Sequence, residues 1–341
     1  MASSSPKSVV IIGGGIVGLT CAVVLSHGGH KVTVVAADVA EHTASGVAAG
    51  MIAPALEAMN EADPAIAFQR LKAAQTAWRT LQAAWPESVR KAVVDTLSQE
   101  SDYIGTSEAL VRLAKTGAPL TPAGEGRMRV SGDGLVEAAA ILNMLQSHLL
   151  TLGGDVLFDR VLHLQGDGVM LADGTRLNAE FVIIAAGYGA RAFAGQVPSL
   201  ACLTPIKGHL LDVPGVTGHG VVRTASGYWA RYAGSAKFGA TMEAGRDDAG
   251  IDADIVADLK ARAQALTPGV DLSKAQARVG VRAATPDGWP LIGRDAASGV
   301  LVATGMRRNG YVFAPLAALI LLDLIEGRAA NRDYDPDRFA H

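Results

Sequence analysis

Gly13-Gly14-Gly15-Ile16-Val17-Gly18 carries glycines at the spacing G-x-G-x-x-G. Gly13 suits a tight turn, Gly15 lets the backbone approach a pyrophosphate, and Gly18 lets a helix lie close on a strand. A helix that opens at such a turn presents unpaired N–H groups and a partial positive charge to an anion. The motif alone is weak. Here it follows the β-branched run at residues 8–12 and precedes an apolar helical stretch at 16–28, the context a dinucleotide site requires. Ile16 and Val17 fall inside the motif and open the helix. The bland alternative is a glycine-rich turn in an ordinary α/β protein. The acid expected about 20 residues on is missing: Val32-Thr33-Val34-Val35 is followed by Ala36, with Asp38 two residues later. Asp38 is therefore either a ribose ligand or an exposed turn residue.

Other chemistries leave no trace. There is no Ser-His-Asp pattern and no metal-spaced group of His, Cys and Asp, so no metal is expected. Cys21 and Cys202, the two cysteines, can form neither a disulfide framework nor a four-thiolate zinc site. The 341 residues suffice for about two domains. At 49% hydrophobic and 18% charged, the chain is not a disordered one. A net charge of −3, from 30 Lys and Arg against 33 Asp and Glu, points to no nucleic-acid partner. The apolar window Val9 to Leu25 is broken by glycines and Val312 to Ile325 is too short, so neither supplies the ~20 residues of a membrane span. Met1 to Lys7 lacks the form of a secretory signal. A cytoplasmic protein acting on a small molecule is the expectation.

The elements that would position the motif begin with a β-α-β unit: strand 8–12, helix 16–28 and strand Lys31 to Val35. A long helix is expected from Pro64 to Trp85, with Ile66, Leu71, Ala74, Trp78 and Leu81 on its apolar face and Pro86 as its stop. Ser107 to Arg129 reads as short strands and loop. Gly134 to Leu152 reads as a helix opened by Asp133 and closed by Gly153-Gly154. Strands are expected at 156–158, 169–171 and 181–185, with a hairpin turn at Asp173-Gly174. Residues 204–245 alternate as antiparallel strands. A helix follows at 255–266, then a strand at 300–303 and a closing helix at 312–326. This order gives an α/β fold: a Rossmann-like nucleotide-binding domain interleaved with an antiparallel-sheet substrate domain. The first takes 1–54, 132–202 and 279–341; the second takes 55–131 and 203–278.

These residues carry a resemblance. Gly13 to Gly18, then Val34 to Asp38, then Thr43-Ala44-Ser45-Gly46-Val47-Ala48-Ala49-Gly50-Met51-Ile52-Ala53-Pro54 resemble the start of the D-amino-acid oxidase and glycine oxidase family of flavoproteins. Asp155 to His163 resembles the family strand that brings Val161 to the adenine. Val182 to Gly187 resembles its second cofactor-proximal strand and turn, ending in Ala186-Gly187. Thr204 to His209 resembles the Pro-x-Lys-Gly segment that leads to the substrate domain. Gly280 to Gly293 is similar to the segment with the carboxylate-binding arginine. Ala303-Thr304-Gly305-Met306-Arg307-Arg308-Asn309-Gly310-Tyr311 is similar to the flavin loop near the carboxyl end. The match runs in order along nearly the whole chain.

The resemblance implies FAD as cofactor, held without a covalent bond because no cysteine follows Cys202. It also implies oxidative deamination of a small amino acid or amine, of the glycine, sarcosine or D-amino-acid type. Hydride would pass from the substrate α-carbon to flavin N5, giving an imine, then a keto acid, and hydrogen peroxide when oxygen is the acceptor. Residue by residue, the small-residue loop with Thr43, Ser45, Ala49, Gly50 and Met51 would pass under the flavin ring. Arg282 would bind the substrate carboxylate through its planar fork; a surface or domain-interface arginine is the alternative. Arg308 matches the flavin-loop arginine near the substrate. Tyr228 would bond the carboxylate, or simply pack in its strand. Met242 matches a substrate-contacting methionine of glycine oxidase, with a core methionine as the default reading. Lys237 resembles the lysine of sarcosine oxidases that promotes reaction with oxygen, against an exposed edge-strand lysine.

From 107 to 133 the chain is shorter than the oxidases it resembles, over the part that covers the substrate in the family. That implies a more open pocket, a bulkier substrate, or closure by another subunit of a homo-oligomer. Three other readings stay open: a dehydrogenase using an acceptor other than oxygen, a flavin-binding subunit without turnover, and an NAD-dependent dehydrogenase. The loop at 45–54 disfavours the last.

Overall fold

Val9, Val10, Ile11 and Ile12 are all buried, as a strand covered on both faces must be. In the computed structural model, which describes residues 5–85 and 100–339, this strand, Ser8–Ile12, lies in the middle of a sheet. The order across that sheet is Leu291–Arg294, Leu301–Thr304, Phe181–Ile184, Ser8–Ile12, Lys31–Ala36 and Asp155–Phe158. Every pairing is parallel except that of the first two strands. Val10 faces Val182 on one side and Thr33 on the other. The helix Ile16–His27 is buried at every residue from Ile16 to Leu25 and packs against the equally apolar helix Gly310–Ile325. A helix apolar all round is stable only when covered all round.

This sheet belongs to one of two compact units, made of Met1–Gly46, Leu142–Ile206 and Val281–His341. The other unit is Val47–Ile141 with Lys207–Gly280. A smaller sheet in the first unit pairs Val161–Leu164, Gly168–Leu171 and Arg176–Asn178. It contributes Val161, Val169 and Leu171 to a cluster with Val10, Val35 and Ile184. The single strand expected over 155–163 is therefore two strands in different sheets. The break has a local cause: Asp159 accepts from the Arg160 N–H at 2.6 Å and the Asp173 N–H at 3.3 Å, turning the chain there.

In the second unit one long sheet runs Glu243–Ala244, Thr204–Pro214, Ser235–Gly239, Gly227–Tyr232, Gly220–Thr224, Ser101–Ile104, Arg127–Val130 and Leu120–Gly124, with Gln276–Ala284 also on Thr204–Pro214. Register sorts its side chains between two faces. Leu211 opposite Phe238 and Trp229 opposite Phe238 lie on one face. They bury against Leu259 and Ala263 of the helix Ala253–Leu266. Asp212, Lys237 and Ala230 align on the other face, with Tyr228 and Arg223 paired beside them. The helix that covers the apolar face is started by Asp252, whose side chain accepts from the N–H groups of Asp254 and Ile255.

Other expectations change as well. Ser107–Ala114 is a helix rather than loop: Thr106 caps it by accepting from the Ala109 N–H, and Leu113 enters a cluster with Ala53, Leu56, Met59, Tyr103 and Val130. The next helix starts at Ala138, because Gly134–Leu135 pairs with Met51–Ile52. Ile66 is 52% exposed, since the buried stripe of the helix Pro64–Ala84 runs through Ala67, Leu71, Ala74, Trp78 and Leu81, one position away. Pro86, the expected stop, lies outside the described residues.

Asp133 caps no helix. It is buried with Oδ2 lacking a partner, and burial raises its carboxyl from 3.8 to about 7 against the pull of Ser101, Arg223 and Lys72. An acid whose proton is held more tightly in the folded state gives its full stabilisation below pH 4 and loses it as pH rises through about 7. The slope in that window is at most about 1.4 kcal/mol per pH unit. Asp133→Asn should remove it. Denaturant melts at pH 5 and pH 8 check this: the difference in stability between the two pH values shrinks in the variant, and an unchanged difference means that Asp133 does not carry the proton.

Candidate active site

The turn from Gly13 to Gly18 leaves no space for side chains. Gly13 has a φ of +121°, and a Cβ on it would meet the Ala185 carbonyl oxygen at 2.5 Å. A Cβ on Gly18 would lie 1.9 Å from the Gly13 oxygen, and one on Gly15 would lie 3.0 Å from Ser45 Oγ. Gly15, the N-cap of the helix Ile16–His27, brings no capping side chain of its own. A glycine-walled turn at an open helix amino end fits the pyrophosphate of a dinucleotide. Val17 is buried behind it.

Ser45 joins the next segment to this turn. Its Oγ accepts from the Ile16 N–H at 3.1 Å, and its carbonyl accepts from the Tyr311 hydroxyl at 2.8 Å. Burial raises the Tyr311 hydroxyl above its ordinary range, so it stays a donor. Thr43 accepts from the Gly46 N–H at 3.1 Å. Asp38 is exposed and ionised: the Val39 N–H first, and His42 second, lower its carboxyl, and both bonds end on Oδ1. Ala36 ends its strand buried, its Cβ 2.8 Å from where a Cβ of Gly14 would be.

The same unit carries the arginines. Ala186 and Gly187 follow the strand Phe181–Ile184, and the Gly187 carbonyl accepts from the Thr304 hydroxyl at 2.8 Å. Thr304 leads through Gly305 into Arg307, which has a φ of +51°. That left-handed backbone costs roughly 1–2 kcal/mol in a non-glycine residue. It is held by the Arg307 N–H, which donates to the Ala283 carbonyl at 2.7 Å. This bond ties the residue after Arg282 to the residue before Arg308, and both arginines are half-buried. Asn309 follows at the amino end of the helix Gly310–Ile325. Its Oδ1 is buried without a partner, an acceptor left for a ligand donor. Burial pushes the Cys21 thiol up to about 12 and raises Cys202, so neither is an activated nucleophile.

In the second unit, Gly50 has a φ of +67° and a Cβ on it would lie 2.0 Å from the Val136 oxygen. Ala49 is buried and Met51 half-buried beside Leu135, Val221, Ala230 and Tyr232. Tyr228 stands half-buried on the polar face of the sheet. Lys237 is no edge-strand lysine: its strand lies inside the sheet and its side chain is 13% exposed. Burial lowers its pKa, opposed by Asp212 at 3.5 Å. Met242 is 48% exposed, so it is no core residue.

Sequence pattern missed the charges beside Tyr228. Arg223, its register partner, donates to Glu57 at 2.5 Å. Burial works against the Arg223 charge, but Glu57 outweighs it and holds the guanidinium above its ordinary range. The strand alternation could have placed Arg223 on the polar face; nothing in the sequence could have paired it with Glu57.

Residues 8–324 match the family model DAO, described as FAD dependent oxidoreductase. A glycine oxidase of Bacillus licheniformis is 28% identical over 356 residues, covering 95% of this chain and 94% of that one. A D-amino acid dehydrogenase of Cereibacter sphaeroides is 31% identical over 191 residues, 51% of this chain and 42% of that one. The crystal structure of glycine oxidase from Geobacillus kaustophilus superimposes with a TM-score of 0.82 at 25% identity, covering 98% of this chain and 99% of the other. This chain therefore belongs to the DAO family of FAD-dependent oxidoreductases.

Proposed function

We propose that the enzyme oxidises a small amino acid or amine bearing a free carboxylate, of the glycine, sarcosine or D-amino-acid type. The observation that carries this is the bond from the Arg307 N–H to the Ala283 carbonyl, which sets Arg282 and Arg308 on two segments fixed to each other. Two guanidinium groups on a tied backbone suit a carboxylate, which takes parallel hydrogen bonds from a planar fork. Bound FAD supplies the two-electron oxidation, so the protein's task is binding and orientation. Arg282 is the residue proposed to grip the carboxylate, with Arg308 beside the cofactor. Tyr228 is proposed as a hydroxyl donor to the carboxylate. The glycine oxidases among the relatives support the substrate class.

A second reading concerns where the electrons go. The D-amino acid dehydrogenase relative favours an acceptor other than oxygen. In air, the oxidase reading expects hydrogen peroxide in step with substrate consumed. A flavin that stays bleached in air and recovers only with a quinone or dye establishes the dehydrogenase.

Anaerobic bleaching of the flavin by glycine, sarcosine, D-amino acids and larger amines tests the substrate class. Arg282→Ala should weaken the half-saturating concentration about 30-fold or more, the consequence of a ~2–5 kcal/mol loss when one partner of a buried charge pair is removed. Arg282→Lys should recover part of it. Bleaching by an amine without a carboxylate, undisturbed in Arg282→Ala, would overturn the assignment of Arg282.

A further inference from the structure

Two side chains on the polar face of the second unit's sheet reach backbone carbonyls of one segment. Lys237 Nζ donates to the Val47 carbonyl at 2.8 Å, and the Tyr232 hydroxyl donates to the Ala49 carbonyl at 2.5 Å. Tyr232 and Lys237 come from neighbouring strands and point to the same face, since Lys237 pairs with Ala230 and Tyr232 with Ser235. The next carbonyl of the segment, that of Gly50, accepts from the Val136 N–H at 3.0 Å. Lys237 is itself seated by Asp212, which also accepts from Arg278 Nε at 3.1 Å. Val47 and Ala49 are buried, so carbonyls left unbonded there would be costly. Two residues before Val47, Ser45 Oγ accepts the first N–H of the helix that opens at the glycine turn.

We propose that Lys237 and Tyr232 are positioning residues that clamp the segment Val47 to Met51 by its carbonyl oxygens, leaving its N–H groups to the cofactor. The proposal rests on FAD binding by this family. A segment whose Val47, Ala49 and Gly50 carbonyls are taken by its own protein turns donors rather than those acceptors to a ligand, and the heteroatoms of a flavin ring include acceptors that such donors match. Lys237 then acts through the Val47 carbonyl. This separates it from a lysine that stabilises charge on oxygen, which would keep its ammonium directed at the reacting atoms.

The test uses the holoenzyme of Lys237→Met, Lys237→Arg and Tyr232→Phe, with FAD release followed by the rise in free-flavin fluorescence and the visible flavin band recorded before release. The clamp expects Lys237→Met and Tyr232→Phe each to release FAD about tenfold faster or more, the loss of one strong hydrogen bond. Both should shift the visible band, and Lys237→Arg should restore both readouts. Tyr232→Phe removes a single oxygen and keeps the sheet packing, so it guards against a variant that merely misfolds. Wild-type release and band position in both variants, with slowed reoxidation by oxygen in Lys237→Met alone, would overturn the clamp. A wild-type chain that purifies without flavin and takes up none would overturn FAD binding itself, which the variants do not touch.

Discussion

A main-chain oxygen decides where the first helix can lie. The Gly13 carbonyl occupies the space that any side chain at position 18 would need, and backbone cannot swing aside as a flexible side chain can. The helix Ile16–His27 therefore starts close on the strand Ser8–Ile12, with no side chain on its N-cap residue Gly15. Its first N–H is taken by Ser45, and Ser45 is held again by Tyr311 from the closing helix. A glycine-free version of this turn would push the helix outward and separate these partners in sequence.

The second unit solves a different problem with one sheet. Its apolar face, with Trp229, Phe238 and Leu211, is sealed by a capped helix. Sealing one face rigidly lets the other carry Tyr228, Arg223, Lys237 and Asp212 without loss of register, because a one-residue slip would exchange the two faces. Charge on that face is neutralised locally. Glu57 answers Arg223 and Asp212 answers Lys237, so the half-buried cations keep their side chains in fixed positions.

Much of this was readable in the residues. The β-branched run, the glycine spacing and the apolar helix gave the β-α-β unit to within a residue at each end, because they depend on neighbours in sequence. The alternation over 204–245 gave the five strands of that stretch for the same reason, but not Ser101–Ile104 or Gln276–Ala284, which join the same sheet. What escaped depended on single polar atoms or on distant partners. The Thr106 hydroxyl turns a stretch with mixed signals into a helix. Asp159 cuts one apparent strand into two. Gly134 is drawn into a ladder with Ile52 instead of starting a helix. The Arg223–Glu57 pair spans 166 residues, and the Lys237–Val47 bond spans 190. Chain order carries no record of such meetings.

The two largely apolar helices that pack together stand far apart in the chain, Ile16–His27 and Gly310–Ile325. During synthesis the first emerges long before its partner has been made. At the ordinary pace of translation, about 5–20 residues per second, its greasy surface waits uncovered for tens of seconds. The first unit thus cannot complete its core until residues 310–325 have been made, and the newborn polypeptide carries a sticky segment for which a chaperone would compete. The antiparallel strands between 204 and 245 lack that handicap, since each lies close in sequence to a partner.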